Sequence, residues 1–406
     1  MGAIMSQLIG MYGSSHMKYN WQHPNWPNFT FDSEVGKQST NQYEIDSAKL
    51  CGSVSALKDA DQYETYIELM LSEAISTSAI EGEVLDRDSV RSSLKNYLGL
   101  SVPPVRVNDP KAEGVAALMI DVRKNGHKEL TKETLCKWHQ MVLHEGGIIH
   151  QPLIGEYRQS GEPMVIASGP IGYEQVHYEA PPASAVESEM NAFLKWYNSD
   201  LLMDGENANE IQRAAIAHLW FESIHPFDDG NGRIGRAIAE QTLSRYGQQT
   251  LLLSLSSAIE KNKNEYYNQL HIASSPNMDV TQWVEYFSHT VFEAQQQAME
   301  KVSFILSKTR FWDKHNDTPL SERQEKALQK VLDKGHDGFE MGINARKYQG
   351  LTNCSKATAT RDLTDMETKG VLYKMPGSGR NTRYGISLPA NPMGTIFSKD
   401  LPMQSG

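Results

Sequence analysis

The chain has 406 residues, 39% hydrophobic and 22% charged, with a formal net charge of −11 at pH 7. That length and composition fit a globular protein of two or three domains; no apolar run approaches the ~18 residues of a membrane-spanning helix, and the acidic balance excludes wholesale coating of nucleic acid. The three cysteines, Cys51, Cys136 and Cys354, lie far apart without a C-x-x-C pair, which excludes a disulfide framework or a zinc ribbon and suits a reducing cytoplasm.

The first residues lack the basic start and apolar segment of a signal peptide, and residues 13–17 (GSSHM) resemble an expression-vector scar, so residues 1–16 carry no functional reading. Residues 20–32 (NWQHPNWPNFTFD) read as an irregular aromatic clamp within a small domain at 17–60. Tyr63, Tyr66, Ile67, Met70, Leu71, Ala74, Ile75 and Ser78 then recur with helical spacing, and Gly82 is placed to end that helix. Further helices are expected at 86–98, 109–125, 131–144, 183–198 and 207–224, punctuated by Pro103-Pro104, Gly146-Gly147 and Gly169-Pro170. Between 155 and 182, short β-type pieces at 164–166 and 176–178 predict a hairpin. Helices resume at 233–246, 257–274 and 279–308, and residues 313–319 read as a linker.

Beyond the linker, helical segments at 321–334, 344–351 and 355–369 precede β-type runs at 371–375 and 382–388, with a Gly-rich tip at 377–381 between them. Three helices and such a hairpin make a winged helix-turn-helix domain at 320–388, followed by an unpatterned tail at 389–406. Residues 319–388 carry 12 Lys and Arg against 8 Asp and Glu, leaving the rest of the chain at −15, so this module is expected to have its own partner. Lys356, Thr358, Thr360 and Arg361 suit the outer face of a recognition helix, with Arg380 and Arg383 in the wing. DNA, a protein or a second copy of the chain all remain open as that partner. The fold class is mainly α, with a β-hairpin and this C-terminal domain.

Chemistry concentrates at 225–236, HPFDDGNGRIGR, directly after the helical run 214–224. Gly230, Asn231 and Gly232 lie between two helices, where small residues let backbone N–H groups approach an anion. Arg233 and Arg236 are three apart on one helix face and can pair with phosphate oxygens. Asp229 can serve Mg²⁺, which needs one or two carboxylates beside substrate phosphates. His225 can take a proton from a hydroxyl, and Phe227 points inward as an anchor. His218, two turns earlier, reads as a satisfied core histidine.

These residues match the Fic-family signature H-x-F-x-[D/E]-G-N-G-R-x-x-R at every defined position, and the chain resembles that family over roughly residues 60–300. The resemblance implies a helical core at 101–312 that transfers AMP from ATP to a Ser, Thr or Tyr hydroxyl of a target protein, or of itself, with no membrane partner. His225 would be the general base and Asp229 the Mg²⁺ ligand. Gly230, Asn231, Gly232 and Arg233 would form the anion hole, and Arg236 would pair with the γ-phosphate. Ile234 and Gly235 belong to the same ATP-binding stretch. The undamaged loop favours AMP transfer over phosphorylation and leaves phosphocholine transfer open.

Residues 77–82 (TSAIEG) resemble the family's inhibitory pattern [S/T]-x-x-x-E-[G/N], within an inhibitory region at 61–100. The resemblance implies that Glu81 occupies Arg236, with Thr77 steadying the carboxylate and Gly82 completing the motif. It also implies that Met164, Val165, Ile166 and Ala167 form a flap that docks the target by strand addition. Tyr266 and Tyr267, with Ser274, resemble the lining of the adenine site. Two rival readings remain: removal of AMP by the same residues, with Glu81 placing water, and an ATP-sensing regulator that binds DNA.

Overall fold

A computed structural model describes residues 18–35, 37–143, 152–168, 175–199, 209–246, 251–333, 342–376 and 382–389. After a single 3₁₀ turn at Asn20–Gln22 come helices α1 (Lys37–Ser55), α2 (Asp59–Ile80), α3 (Arg87–Tyr97), α4 (Pro110–Lys124) and α5 (Lys132–Val142). The hairpin strands β1 (Val165–Ser168) and β2 (Gln175–Glu179) follow, then α6 (Ala183–Tyr197), α7 (Glu210–Ile224), α8 (Asn231–Tyr246), α9 (Leu255–Lys261), α10 (Lys263–Ala273) and α11 (Thr281–Lys314). The chain ends in α12 (Glu322–Leu332), α13 (Ala345–Thr352), α14 (Lys356–Thr368), β3 (Leu372–Lys374) and β4 (Tyr384–Ile386). Among the described residues no helix is long and apolar enough to cross a membrane.

The chain divides into two compact units, residues 1–51 with 66–297 and residues 52–65 with 298–406. In the first, α7 is buried on nearly every side, with Gln212, Arg213, His218 and Ser223 among its buried residues, and forms the core helix against which α8 packs. Helices of this unit start where the sequence supplies caps: Asp86, Asp109, Thr131 and Asn209 each accept from a backbone N–H in the first turn of α3, α4, α5 and α7. Helix α2 ends as expected. Gly82 adopts φ +80°, and Gly82 N–H and Glu83 N–H bond back to Ala79 and Ser78 carbonyls, a left-handed cap that glycine alone adopts without strain. The hairpin pairs Val165 with Glu179 and Ile166 with Tyr178, then shifts register by a bulge before Ala167.

Three elements depart from expectation. Helix α1 has no counterpart in the sequence reading because its buried stripe, Thr40, Tyr43, Asp46 and Leu50, is half polar. The single helix expected at 257–274 is broken at Asn262, whose backbone (φ −133°, ψ 48°) leaves the helical region. Helix α11 continues to Lys314, two residues into the stretch expected as linker.

In the second unit α12, α13 and α14 enclose a core of Leu328, Val331, Tyr348, Leu363, Met366, Val371 and Ile386. Asn353, in the left-handed conformation at φ 53°, turns the chain between α13 and α14. The β3–β4 ladder is extended by an isolated bridge from Ile343 to Tyr384. Residues 1–16, the Gly146-Gly147 and Gly169-Pro170 punctuation, the tip at 377–381 with Arg380, and residues 390–406 of the expected tail lie outside the described residues.

Candidate active site

The site grows from the junction of α7 and α8. Helix α7 stops at His225, which takes a left-handed conformation (φ 50°, ψ 60°) immediately before Pro226. A histidine there is uncommon, and surrounding bonds hold it. The last carbonyls of a helix lack partners within it; here Tyr178 Oη donates to Ser223 O at 2.8 Å, and Arg158 donates to Ile224 O and, at 2.8 Å, to His225 O. The loop closes on Asn231, whose side chain accepts from Phe227 N at 2.9 Å and donates to Phe227 O at 2.8 Å. Phe227 is fully buried and stacks on His139, with centroids 4.1 Å apart. His139 accepts from Gly155 N at 2.8 Å and lies 3.1 Å from Asp229 O through its other ring nitrogen. Sequence reading missed His139: one buried histidine in an amphipathic helix carries no distinguishing signal.

The loop thus delivers the first N–H groups of α8, at Gly232 and Arg233, which have no acceptor within the helix and carry its positive dipole end. The Asp229 carboxylate is exposed beside them and accepts from Gly230 N at 2.6 Å. No group of three His, Cys, Asp or Glu residues is gathered among the described residues. One carboxylate beside a phosphate cradle fits an Mg²⁺ ion held chiefly by substrate oxygens.

Both signature arginines are engaged by the end of α2. Arg236 is buried; its Nη2 donates to Glu81 Oε1 at 2.7 Å and to Thr77 O at 3.0 Å, and its Nε donates to Thr77 Oγ1 at 2.8 Å. Thr77 therefore holds the guanidinium rather than steadying the carboxylate, a correction to the expected role that follows from its place one turn before Glu81. Burial alone would raise the Glu81 carboxyl, but Arg236, Arg233 and Lys263 together hold it below the ordinary range. A Cβ at Gly232 would collide with Glu81 Oε1, so a larger residue there would force this carboxylate to shift. Arg233 Nη1 donates to Glu83 Oε2 at 2.8 Å, and Lys111 pairs with the other Glu83 oxygen at 2.8 Å. Glu83 lies past the helix end, where no periodicity points to it.

His225 is mostly buried, and burial together with the Arg158 charge pushes its imidazole down to about 4. The ring is therefore neutral at pH 7 and free to accept a proton. Its Nδ1 is 3.9 Å from Glu222 Oε2. Burial pushes the Glu222 carboxyl up to about 8, against the pull of Arg236, and a Cβ at Gly235 would collide with Glu222 Oε1. Ile234 faces the core.

The expected adenine residues are split. Tyr266 is buried with its hydroxyl 2.8 Å from His218 Nε2, which gives His218 the partner expected of a core histidine. Tyr267 is 42% exposed, with Lys263 over its ring. Ser274 turns its hydroxyl back to Leu270 O at 2.7 Å. On the hairpin, Val165 is exposed and Met164 and Ile166 are half-buried; Ala167 lies in β1, its side chain outside the described residues.

Residues 19–100 match a domain of unknown function (DUF4172), and residues 129–243 match the Fic/DOC family. Protein adenylyltransferase fic-1 of Caenorhabditis elegans is 25% identical over 240 residues, 56% of this chain and 42% of that protein. Protein adenylyltransferase Fic of Nematostella vectensis is 30% identical over 148 residues, 36% of this chain and 29% of that protein. Uridine 5′-monophosphate transferase of Xanthomonas campestris pv. campestris (strain 8004) is 31% identical over 120 residues, 29% of this chain and 22% of that protein. The chain spans less than half the length of these relatives. The signature at 225–236 falls inside the second matched stretch, so residues 129–243 of the chain carry a Fic/DOC family domain.

Proposed function

We propose that this chain transfers AMP from ATP to a hydroxyl of a protein, and that Glu81 restrains the reaction. The observation that carries the reading is the position of His225, at the end of α7 and one loop away from the first turn of α8. The substrate hydroxyl oxygen attacks the α-phosphorus of ATP, the bond to the β,γ-pyrophosphate breaks, and the hydroxyl proton passes to His225. The Gly230–Arg233 backbone and the two arginines bind the triphosphate and stabilise its charge. Asp229 would hold Mg²⁺ with the phosphates, and that ion would neutralise charge on the departing pyrophosphate. The relatives named as adenylyltransferases support this choice of group, and the one named as a uridine 5′-monophosphate transferase points to nucleotidyl transfer more broadly.

One guanidinium cannot serve a carboxylate and a phosphate in the same bidentate manner. While Glu81 occupies Arg236, ATP would bind with its γ-phosphate displaced. Incubation of Glu81→Gly with α-labelled ATP tests both parts: covalent label that disappears in Glu81→Gly/His225→Ala supports the reading, and label independent of His225 contradicts it.

For the C-terminal unit the proposed role is partner choice through a winged-helix surface. The α14 acids are all paired, Asp362 with Arg323, Asp365 with Lys369 and Glu367 with Lys374, while Lys356, Thr360 and Arg361 are exposed. That face suits an acidic partner.

A further inference from the structure

The N-terminal aromatic segment makes bonds on which the proposed reaction has not called. Asn20, fully buried, reaches three other elements of its unit. Its Nδ2 donates to Ser223 Oγ, in the last turn of α7, at 2.8 Å, and its backbone N–H donates to Ser274 O, at the end of α10, at 2.9 Å. Its Oδ1 lies 3.0 Å from the Tyr178 hydroxyl of β2. The amide orientation is fixed by Trp21 N–H, which donates to the same Oδ1 at 2.8 Å. Tyr178 has one hydroxyl proton, shared between Asn20 Oδ1 and the Ser223 carbonyl, the latter at 2.8 Å. That carbonyl is one of the four that α7 leaves without a helical partner. Beside this knot the Trp21 indole donates to Glu179 O at 2.7 Å, and the Tyr19 ring meets Tyr178 edge-on.

The position of the knot gives it a consequence. Ser223 is two residues from His225, and Tyr178 is the cross-strand partner of Ile166 in β1. One buried asparagine therefore binds the hairpin strand, the turn bearing the histidine and the end of α10. We infer that Asn20 is a positioning residue: through Tyr178 and Ser223 it locks the hairpin to the His225 turn, so that an extended polypeptide laid along β1 presents its hydroxyl at a fixed distance from the base. The inference rests on the reading of His225 as base and of the hairpin as docking strand. A displacement near 1 Å is enough to cost on the order of 10²-fold in rate.

Two variants of the full chain test it. Asn20→Leu keeps the volume and removes every side-chain bond; Tyr178→Phe removes the hydroxyl alone. Hydrogen exchange reads the lock without reference to activity. Faster exchange in both variants at residues 176–179 and 221–225 together, with α4 unchanged, is expected. Faster exchange confined to 176–179 overturns the inference. In the Glu81→Gly background, the expected kinetic result is a fall of about tenfold or more in the rate of AMP incorporation at saturating ATP, with the KM for ATP within about twofold. An unchanged rate, or a change carried by the KM for ATP alone, also overturns it. If Glu81→Gly itself takes no label, AMP transfer to this chain has failed, and the exchange data still decide whether hairpin and turn are coupled.

Discussion

Arg236, buried in the first unit, has its Nη2 2.7 Å from Glu81 Oε1, which ties α8 to the first residue past the end of α2. Two residues on, Glu83 reaches Arg233 at 2.8 Å. A single helix end thus holds both guanidinium groups that the signature supplies for phosphate. The pairs differ in setting. Arg236 has no exposed face, whereas Glu83 is half-buried and shared with the exposed Lys111.

Thr77 is expected to matter through Arg236. Thr77→Val keeps the shape and removes the oxygen that accepts from Arg236 Nε. A buried hydrogen bond to a charged group contributes ~1.5–3 kcal/mol. Transfer by Thr77→Val should fall between wild type and Glu81→Gly, measured as initial rates of label incorporation. A rate equal to wild type would show that Glu81 alone sets the restraint.

Glu83→Gln should have a small effect on stability, within about 1 kcal/mol by denaturant titration, because partly exposed ion pairs contribute little. Its effect on transfer should appear only after Arg236 is released: Glu81→Gly/Glu83→Gln should exceed Glu81→Gly. Equal rates in the two would mean that Arg233 reaches the phosphates despite Glu83.

Glu222 gives a pH dependence with a defined sign. Its carboxyl is raised in the folded state to about 8 from 4.5, so its contribution is fully present below about pH 4.5 and is lost as pH rises through about 8. Glutamine mimics the protonated form. Glu222→Gln should match wild type in Tm near pH 4.5 and exceed it at pH 8. A lower Tm for the variant at pH 8 would show an ionised Glu222 paired with Arg236. His225 and His218 have the opposite sign: both are depressed to about 4 by burial, and their contribution is lost as pH falls from about 6.5 to about 4.

His139→Ala removes the ring stacked on Phe227, the hydrogen bond to the loop at Asp229 O and the one accepted from Gly155 N. A loss of about 3 kcal/mol is expected, together with slower transfer, since the loop that carries Asp229 and Gly230 loses its support. Unchanged stability would place the anchor elsewhere.

How much of this was readable in the sequence follows from the kind of signal each part leaves. The loop 225–236 stood out because its candidate groups lie in contiguous residues at fixed spacing, and the pairing of Glu81 with Arg236 was expected from the resemblance. The direction of the Thr77 hydroxyl was not, since spacing places it beside the pair without choosing a partner. Glu83, His139 and Asn20 act through contacts between residues far apart in the chain, which no local pattern records. Helix α1 escaped because polar residues interrupt its buried stripe, and the break at Asn262 because one residue's dihedral angles leave the periodicity on either side intact.

The most direct measurement is the intact mass of purified Glu81→Gly after incubation with ATP and Mg²⁺, beside wild type and Glu81→Gly/His225→Ala. The account expects a gain of one AMP, or an integral number, on Glu81→Gly, little on wild type and none on the double variant. A gain on wild type equal to that on Glu81→Gly would contradict the restraint by Glu81, and no gain on Glu81→Gly would contradict AMP transfer to this chain itself.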